Sequence, residues 1–363
     1  MILTVTANPS LDRTVRLEGP LVPGQVHRLV DSVTVAAGKG VNISAVLHAA
    51  GAATLAVVPA GADDPLLAGL VRDGVPHLGV PITGPVRINL TVTAPDGTTT
   101  KFNEPGARLD GPQLRALEQA VLAEALNGAA PSPSPIRSTG PHVDAGSVSG
   151  SGSGTAAGSG GRAGDDSPEW VVMTGSLPPG VPADWYASMV ARLREQLGSS
   201  GVRIAVDTSD APLAALVSRC PECAPDLIAP NSTELAQVCG GDGAQMEASA
   251  AGGDLSAVIE AARTLVGKGI REVLVTLGGA GALLVSRDSS WHAVTGPVDV
   301  RSTVGAGDAA LAGLLLARDR GADAPTALRT AVAYGTAAVC MPGTGRPSAE
   351  QAAEVSVSVN RCR

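Results

Sequence analysis

The chain has 363 residues, of which 44% are hydrophobic and only 2% are aromatic. This length suits one large α/β domain or two ordinary ones, with a core built mainly from alanine, valine and leucine. A formal net charge of −8 argues against a nucleic-acid-binding protein, because such proteins normally carry a basic patch.

The N-terminal segment and the cysteines bear on where the protein resides. Residues 1–6 alternate like a strand and lack the features of a signal peptide, and no run reaches the roughly 18 apolar residues of a membrane span. Five cysteines make no disulfide framework in a chain of this length, and the Cys220–Cys223 pair lacks further ligands at zinc spacing. We therefore expect a cytoplasmic protein.

Strand and helix patterns alternate in the first part of the chain. Strands are predicted at residues 2–6, 55–59 and 79–80, and helices at 41–50, 64–73 and 113–126. The alternating segments 86–92 and 98–102 flank Pro95-Asp96-Gly97, which predicts a β-hairpin.

Residues 127–168 differ from the rest of the chain because glycine, serine, alanine and proline dominate them. Such a segment cannot bury enough surface to offset its ordering entropy, so we expect a disordered surface insertion. A domain linker is the alternative. The helix before the segment and the strand after it look like successive parts of one βαβ series, which favours the insertion.

The second part of the chain repeats the same alternation. Strands are predicted at 171–173, 203–206, 227–228, 273–276 and 282–285, and helices at 183–197, 211–219, 232–238 and 255–266. Apolar strands alternating with helices predict an α/β fold with a parallel sheet covered on both faces. Ligands of such sheets bind at the carboxyl ends of the strands, where the glycine motifs fall.

The most informative motif is Ser-Thr-Val-Gly-Ala-Gly-Asp at residues 302–308, between a predicted strand end at 298–300 and an apolar helical run at 309–317. Its glycines permit a tight turn and a close ligand. The helix that follows directs its free N–H groups at the turn, which suits a phosphate. Asp308 beside such a cradle is suited to take a proton from an attacking hydroxyl. The motif therefore predicts phosphoryl transfer to an alcohol.

Other motifs allow two interpretations each. Gly38-Lys39-Gly40 before the first helix holds a phosphate or is a plain turn, and it is not a Walker A loop. Arg87 and Asn89 lie on the same face of a predicted strand, and their side chains either bind a ligand or face solvent. The segment 230–234 is a helix cap or lies near a magnesium–nucleotide. The glycine segments 175–180 and 276–281 are ordinary loops unless a ligand lies against them.

Taken together and in order, these motifs resemble the ribokinase-like sugar kinases of the pfkB family. They are most similar to its branch of 1-phosphofructokinases and tagatose-6-phosphate kinases. The matching segments are residues 6–12, 38–40, 101–106, 175–180, 230–234, 276–281 and 302–308. They cover nearly the whole chain except the insertion at 127–168.

The resemblance implies one ribokinase-like domain over residues 1–363, with a doubly wound, mostly parallel sheet. A small β-sheet lid would come from about residues 13–35 and 86–104, and lids of this kind often mediate homodimers. It implies ATP and Mg²⁺ as cofactors and a sugar phosphate as substrate, with no nucleic acid or membrane partner. Fructose 1-phosphate is favoured, and tagatose 6-phosphate and fructose 6-phosphate are alternatives.

The resemblance also implies roles for individual residues. The catalytic group would be the base Asp308 with the anion hole Gly305, Ala306 and Gly307. Substrate contacts would come from Asp12, Gly38, Lys39, Asn42, Arg87, Ser176 and, from a neighbouring subunit, Arg28. Lys39 and Arg87 would hold the phosphate already on the sugar. The nucleotide would contact Asn231, Thr276, Gly278 and Gly281, with Glu234 acting indirectly on magnesium.

Departures from the family pattern keep other hypotheses open. Ala37, Ala229 and Ala309 stand where glycine, lysine and serine are common. Ala229 and Ala309 suit a nucleotide- or sugar-phosphate-binding relative that has lost catalysis, although Asp308 and Glu234 argue against that hypothesis. A nicotinamide-dependent dehydrogenase shares the sheet type, but no Gly-x-Gly-x-x-Gly follows the first strand.

Overall fold

The computed structural model describes residues 1–126 and 168–362, which form a large sheet flanked by helices and a separate small sheet. Of the predicted insertion at 127–168, only Pro168 lies within the described residues. No helix in these two ranges is long and apolar enough to span a membrane.

Fourteen strands and eleven α-helices are present in the described ranges. The strands are β1 (Ile2–Thr6), β2 (Ser10–Leu17), β3 (Leu29–Ala37), β4 (Thr54–Pro59), β5 (His77–Val80), β6 (Arg87–Thr93), β7 (Thr99–Asn103), β8 (Trp170–Thr174), β9 (Arg203–Asp207), β10 (Leu227–Ile228), β11 (Glu272–Thr276), β12 (Ala282–Ser286), β13 (Ser290–Thr295) and β14 (Val357–Cys362). The helices are α1 (Lys39–Ala49), α2 (Pro65–Arg72), α3 (Gly111–Leu126), α4 (Trp185–Leu197), α5 (Asp210–Ser218), α6 (Ser232–Cys239), α7 (Gly243–Ala251), α8 (Ser256–Gly267), α9 (Ala306–Asp319), α10 (Ala324–Val339) and α11 (Ala349–Ala353).

The large sheet has ten strands in the order β14-β13-β12-β11-β10-β9-β8-β1-β4-β5. Its pairings are parallel from β5 to β11 and antiparallel from β11 to β14. Alternate side chains of β1 enter different cores, since Leu3 and Val5 pack on one face of the sheet and Ile2 on the other. This confirms the predicted α/β fold with helices on both faces.

The small sheet has the order β3-β2-β6-β7 and forms the lid. β6 and β7 pair antiparallel, which confirms the predicted hairpin, and β2 pairs parallel with β6. One side of the lid encloses a small cluster of Val15, Leu17 and Val92. Several apolar side chains of the lid strands are exposed, among them Val33 at 59% and Phe102 at 53%.

The predicted strand end at residues 298–300 is wrong. The chain is irregular from 296 to 300, and Val298 and Val300 are exposed. A valine-rich pattern forms a strand only beside a pairing partner, and here Pro297 lacks the amide N–H that a ladder needs. Elements that the sequence patterns did not predict are β2, β3, β13, β14, α7, α10 and α11. The region of β2 and β3 was expected only as part of the lid that the resemblance implies.

Candidate active site

The motif at 302–308 forms the start of α9. Gly305 precedes the helix in a left-handed conformation with φ 79°, which favours glycine, and an added Cβ would come within 3.0 Å of the Thr344 side chain. No side chain of the described residues caps the helix, although the Ala306 N–H donates to the Thr303 carbonyl at 3.4 Å. The first N–H groups of a helix otherwise lack an acceptor within the helix. A Cβ added to Gly307 would meet no atom of residues 1–126 or 168–362 within 4 Å. The helix start is therefore an open, electropositive cradle that suits an anion.

Asp308 lies in the first turn of α9 and is almost fully buried. Its Oδ2 accepts a hydrogen bond of 2.8 Å from Nδ2 of Asn42 on α1. Burial raises the pKa of Asp308 to about 7, and the neighbouring Asp207 and Asp12 act in the same direction, while Lys39 and the Asn42 bond oppose them. A carboxyl with this pKa exchanges a proton near neutral pH, as a general base requires.

Lys39 lies beside the buried carboxyl. It begins α1, whose N-cap Gly38 has φ 122°, and a Cβ there would come within 2.7 Å of Thr6. Its Nζ pairs with Oδ1 of Asp207 at 2.8 Å, and Asp207 ends β9 with only 4% of its surface exposed. Burial lowers the pKa of Lys39, but Asp207, Asp308 and Glu234 outweigh it and raise the pKa overall. The ammonium therefore keeps its charge.

The first residues of β2 and β6 in the lid contribute a second set of polar side chains to the site. β2 and β6 pair so that Ser10 lies opposite Arg87 and Asp12 opposite Asn89. Asp12 Oδ1 accepts hydrogen bonds from Ser10 Oγ at 2.8 Å and from Asn89 Nδ2 at 3.0 Å. Burial lowers the pKa of Arg87, and the charge of Asp12 opposes this shift. Carboxylate, amide, hydroxyl and guanidinium groups thus share one face of the lid.

Two loops at the carboxyl ends of β1 and β8 meet beside these groups. Asn8 follows β1, and its Nδ2 donates to Ser176 Oγ at 3.3 Å and to the carbonyl of Pro105 at 3.1 Å. Asn8 therefore ties the end of the large sheet to the chain that leaves β7. Ser176 itself is exposed.

The remaining predicted residues lie at the carboxyl ends of β10 and β11. Thr276 ends β11 and bridges to Asn231, and Gly278 and Gly281 bound a short 3-10 turn. Asn231 and Glu234 form a complete capping box for α6: the Asn231 side chain accepts from the Glu234 N–H, and the Glu234 carboxylate accepts from the Asn231 N–H, both at 2.9 Å.

Glu234 also interacts electrostatically with Lys39. Burial raises the pKa of Glu234, while the charge of Lys39 opposes the shift. Glu234 thus connects the β10–β11 edge with the group around Asp308. The capping interpretation and the functional one are compatible, because the carboxylate serves as a cap while its charge acts on Lys39.

Comparison with known proteins identifies the family to which this chain belongs. Residues 166–352 match the model of the pfkB family of carbohydrate kinases. A 1-phosphofructokinase of Haloferax volcanii is 32% identical, with 96% of this chain and 94% of that protein covered. The chain belongs to the pfkB family of carbohydrate kinases. As a pfkB kinase it is a phosphotransferase that uses an alcohol group as acceptor.

Further relatives agree on the fold and the family. The ATP-dependent 6-phosphofructokinase isozyme 2 of Mycobacterium tuberculosis is 30% identical over 94% of this chain and 85% of that protein. The structure of phosphofructokinase-2 from Escherichia coli in complex with potassium superposes with a TM-score of 0.77 at 26% identity, covering 98% and 97% of the two chains. The predicted resemblance to pfkB sugar kinases and the ribokinase-like fold are thereby confirmed.

The pfkB fold brings most of the predicted site residues together. The exception is Arg28, and one residue that was not predicted, Asp207, joins the site. Arg28 is exposed in the segment before β3 and has no hydrogen bond or ion pair within residues 1–126 and 168–362. Asp207 was not predicted, although it pairs with Lys39. The available signal was its position, because it directly follows the predicted strand 203–206, and such ends bind ligands.

Proposed function

We propose that the protein catalyses ATP-dependent phosphorylation of a ketohexose phosphate, with fructose 1-phosphate converted to fructose 1,6-bisphosphate as the favoured reaction. One observation carries the chemistry: Asp308 is a buried carboxyl with a pKa of about 7 at the electropositive start of α9. The substrate rests on the similarity to proteins named 1-phosphofructokinase, such as that of Haloferax volcanii.

In this proposal Asp308 is the general base. Its ionised form accepts the proton of the sugar hydroxyl as that oxygen attacks, and Asn42 holds the carboxylate in place at 2.8 Å. The backbone of Gly305, Ala306 and Gly307 stabilises the charge that develops on the transferred group. The first turn of α9 supports this role because no side chain of the described residues caps it.

The lid and the start of α1 supply the substrate contacts. Asp12, Asn42, Gly38 and Ser176 are assigned to the sugar, and Arg87 and Lys39 to its phosphate. Arg87 suits a phosphate because its guanidinium is partly buried and its Nε has no hydrogen-bond partner in the described part of the chain. Lys39 is bound to Asp207 in the free protein, so a phosphate must compete with that ion pair. Arg28 is retained only as a group that could act from a neighbouring subunit.

The nucleotide is assigned to the edge formed by Asn231, Thr276, Gly278 and Gly281. Among the described residues no group of three or more His, Cys, Asp or Glu side chains could hold a metal. The half-buried carboxylate of Glu234 fits Mg²⁺ that is bound mainly by phosphate oxygens and water, the usual arrangement for this ion. Bound there, Mg²⁺ would supply positive charge for the phosphates.

The exposed apolar surface of the lid supports a homodimer. On the edge strand β3, Leu29, Val30 and Val33 are each about half exposed. Exposed apolar side chains that cluster on one element mark interaction surfaces. A dimer would cover them. We also infer a cytoplasmic location, where ATP and sugar phosphates are available.

Fructose 6-phosphate is the second candidate substrate, since the relatives include 6-phosphofructokinase isozyme 2 of Mycobacterium tuberculosis. A steady-state assay with Mg-ATP against fructose 1-phosphate, fructose 6-phosphate, tagatose 6-phosphate and free fructose tests the proposal. We expect the highest kcat/KM for fructose 1-phosphate. A preference for another phosphate would overturn the substrate assignment, and absence of turnover on all four would favour the catalytically inactive relative.

A further inference from the structure

Asn89 lies at the centre of the polar group on the lid, and none of the assignments above gives it a role. Side chains two positions apart on a strand point to the same side, so Asn89 and Arg87 on β6 share a face. The parallel register sets Asn89 directly opposite Asp12 and Arg87 opposite Ser10. The four side chains therefore form one compact patch on the lid.

Both donor hydrogens of the Asn89 amide are used inside this patch. Nδ2 donates to Asp12 Oδ1 at 3.0 Å and to Ser10 Oγ at 3.1 Å, and the Ser10 hydroxyl donates to the same Asp12 oxygen at 2.8 Å. The reverse orientation of the amide would set its carbonyl oxygen against a carboxylate oxygen. The chemistry of the partners therefore fixes which end of the amide faces Asp12.

The other end of the amide has no partner. Oδ1 of Asn89 is buried and accepts no hydrogen bond from residues 1–126 or 168–362, and Nε of neighbouring Arg87 is likewise buried and unpaired. Buried polar atoms are rarely left unpaired, because the lost hydration is not replaced. An unpaired acceptor beside an unpaired cationic donor suits a ligand with a hydroxyl near an anionic group.

The geometry points to Asn89 as a substrate-specificity residue, and this inference rests on the proposed ketose-phosphate kinase. We propose that Asn89 holds the Asp12 carboxylate in one orientation while its own Oδ1 accepts a hydrogen bond from a sugar hydroxyl. Asp12 receives a neighbouring hydroxyl, and Arg87 receives the phosphate. Residues two apart on a strand are about 7 Å apart, which matches the span from a sugar phosphate group to hydroxyls a few carbons away.

The test compares Asn89→Leu with Thr91→Val. Thr91 is the next residue on the same face of β6, further along the lid, and its substitution is nearly isosteric. We expect Asn89→Leu to raise the KM for fructose 1-phosphate about 10- to 100-fold, the scale for lost hydrogen bonds to charged or buried groups, with the KM for ATP changed less than about twofold. Thr91→Val should change neither constant. Calorimetric titration of fructose 1-phosphate gives a readout independent of turnover.

Deoxy analogues separate direct contact from positioning of Asp12. In the wild-type protein, removal of the 3-hydroxyl or of the 4-hydroxyl from fructose 1-phosphate should raise KM. In Asn89→Leu, removal of one of these two hydroxyls should no longer raise KM. Ser10→Ala removes the Ser10 bonds to Asp12 and from Asn89 Nδ2 but leaves the Asn89–Asp12 bond and Oδ1 of Asn89 in place, so this variant should keep the discrimination. An unchanged KM in Asn89→Leu, or a raised KM with discrimination intact at both hydroxyls, overturns the inference. Wild-type protein that is inactive on every ketose phosphate overturns the proposed function itself.

Discussion

Replacing Asp308 by asparagine should inactivate the protein and stabilise it, and the stabilisation should grow with pH. The pKa of Asp308 rises from an ordinary value of 3.8 to about 7 because the group is buried. Between these values the folded protein binds a proton that the unfolded chain has released. Stability is therefore lost as the pH rises through the folded pKa, by about 4 kcal/mol at pH 8.

An asparagine imitates the protonated carboxyl at every pH and still offers an oxygen to Asn42. The free energy of unfolding of Asp308→Asn should therefore exceed that of the wild type by a margin that grows by about 2–3 kcal/mol between pH 5 and pH 8. Over the same change, turnover should fall roughly 100-fold or more, the scale of lost general-base catalysis.

Urea unfolding followed by tryptophan fluorescence measures this effect, since Trp170 is fully buried in the central sheet. Asp63→Asn is the matched control, because Asp63 is exposed in the loop before α2 and should show no such pH trend. A margin that stays constant from pH 5 to pH 8 would refute the raised pKa. A loss of turnover below tenfold would refute the role of Asp308 as base.

Two further predictions concern the ion pair and the lid. Lys39→Met removes a charge that lowers the pKa of Asp308, so the acid limb of the pH–kcat profile should move to higher pH. Asp207→Asn removes a charge that raises this pKa, so the limb should move to lower pH. Shifts in the same direction would contradict this electrostatic account. Val33→Lys on the exposed lid should convert a dimer to monomer in light scattering, and a wild-type monomer at tens of micromolar would exclude the lid dimer.

The strands of the large sheet were largely predictable because burial on both faces leaves a continuous apolar run. β1 and β10 have the predicted bounds for this reason. β14 was not predicted, since its side chains are only half-buried or exposed and it exists through pairing with β13. The valines at 298 and 300 show the converse, because their pattern suits a strand but no strand in the described part of the chain pairs with them. Whether a segment finds a strand to pair with depends on the whole fold, so it cannot be predicted from the pattern of a short segment.

Contacts between distant segments also separate the predicted part of the site from the part that was not predicted. The cradle at 302–308 and the Gly38-Lys39-Gly40 turn are local motifs, and the sequence reveals them. The contact of Asn42 with Asp308 spans 266 positions, and that of Lys39 with Asp207 spans 168. In the sequence, Asp207 is one of several aspartates that follow a strand, and only the folded sheet places it beside the Lys39 ammonium group.

In the proposed reaction, the charges around Lys39 favour a nucleotide that arrives with a cation. Asp12, Asp207, Glu234 and Asp308 act on this region, and together they exceed the positive charge of Lys39 and Arg87. Phosphates that bound without a counter-charge would raise the pKa of Asp308 above about 7, and the base would be protonated at neutral pH. A divalent cation that entered with the phosphates would offset this effect, so the acidic surroundings that act on the pKa of Asp308 would also make the ionisation of the proposed base depend on the cation.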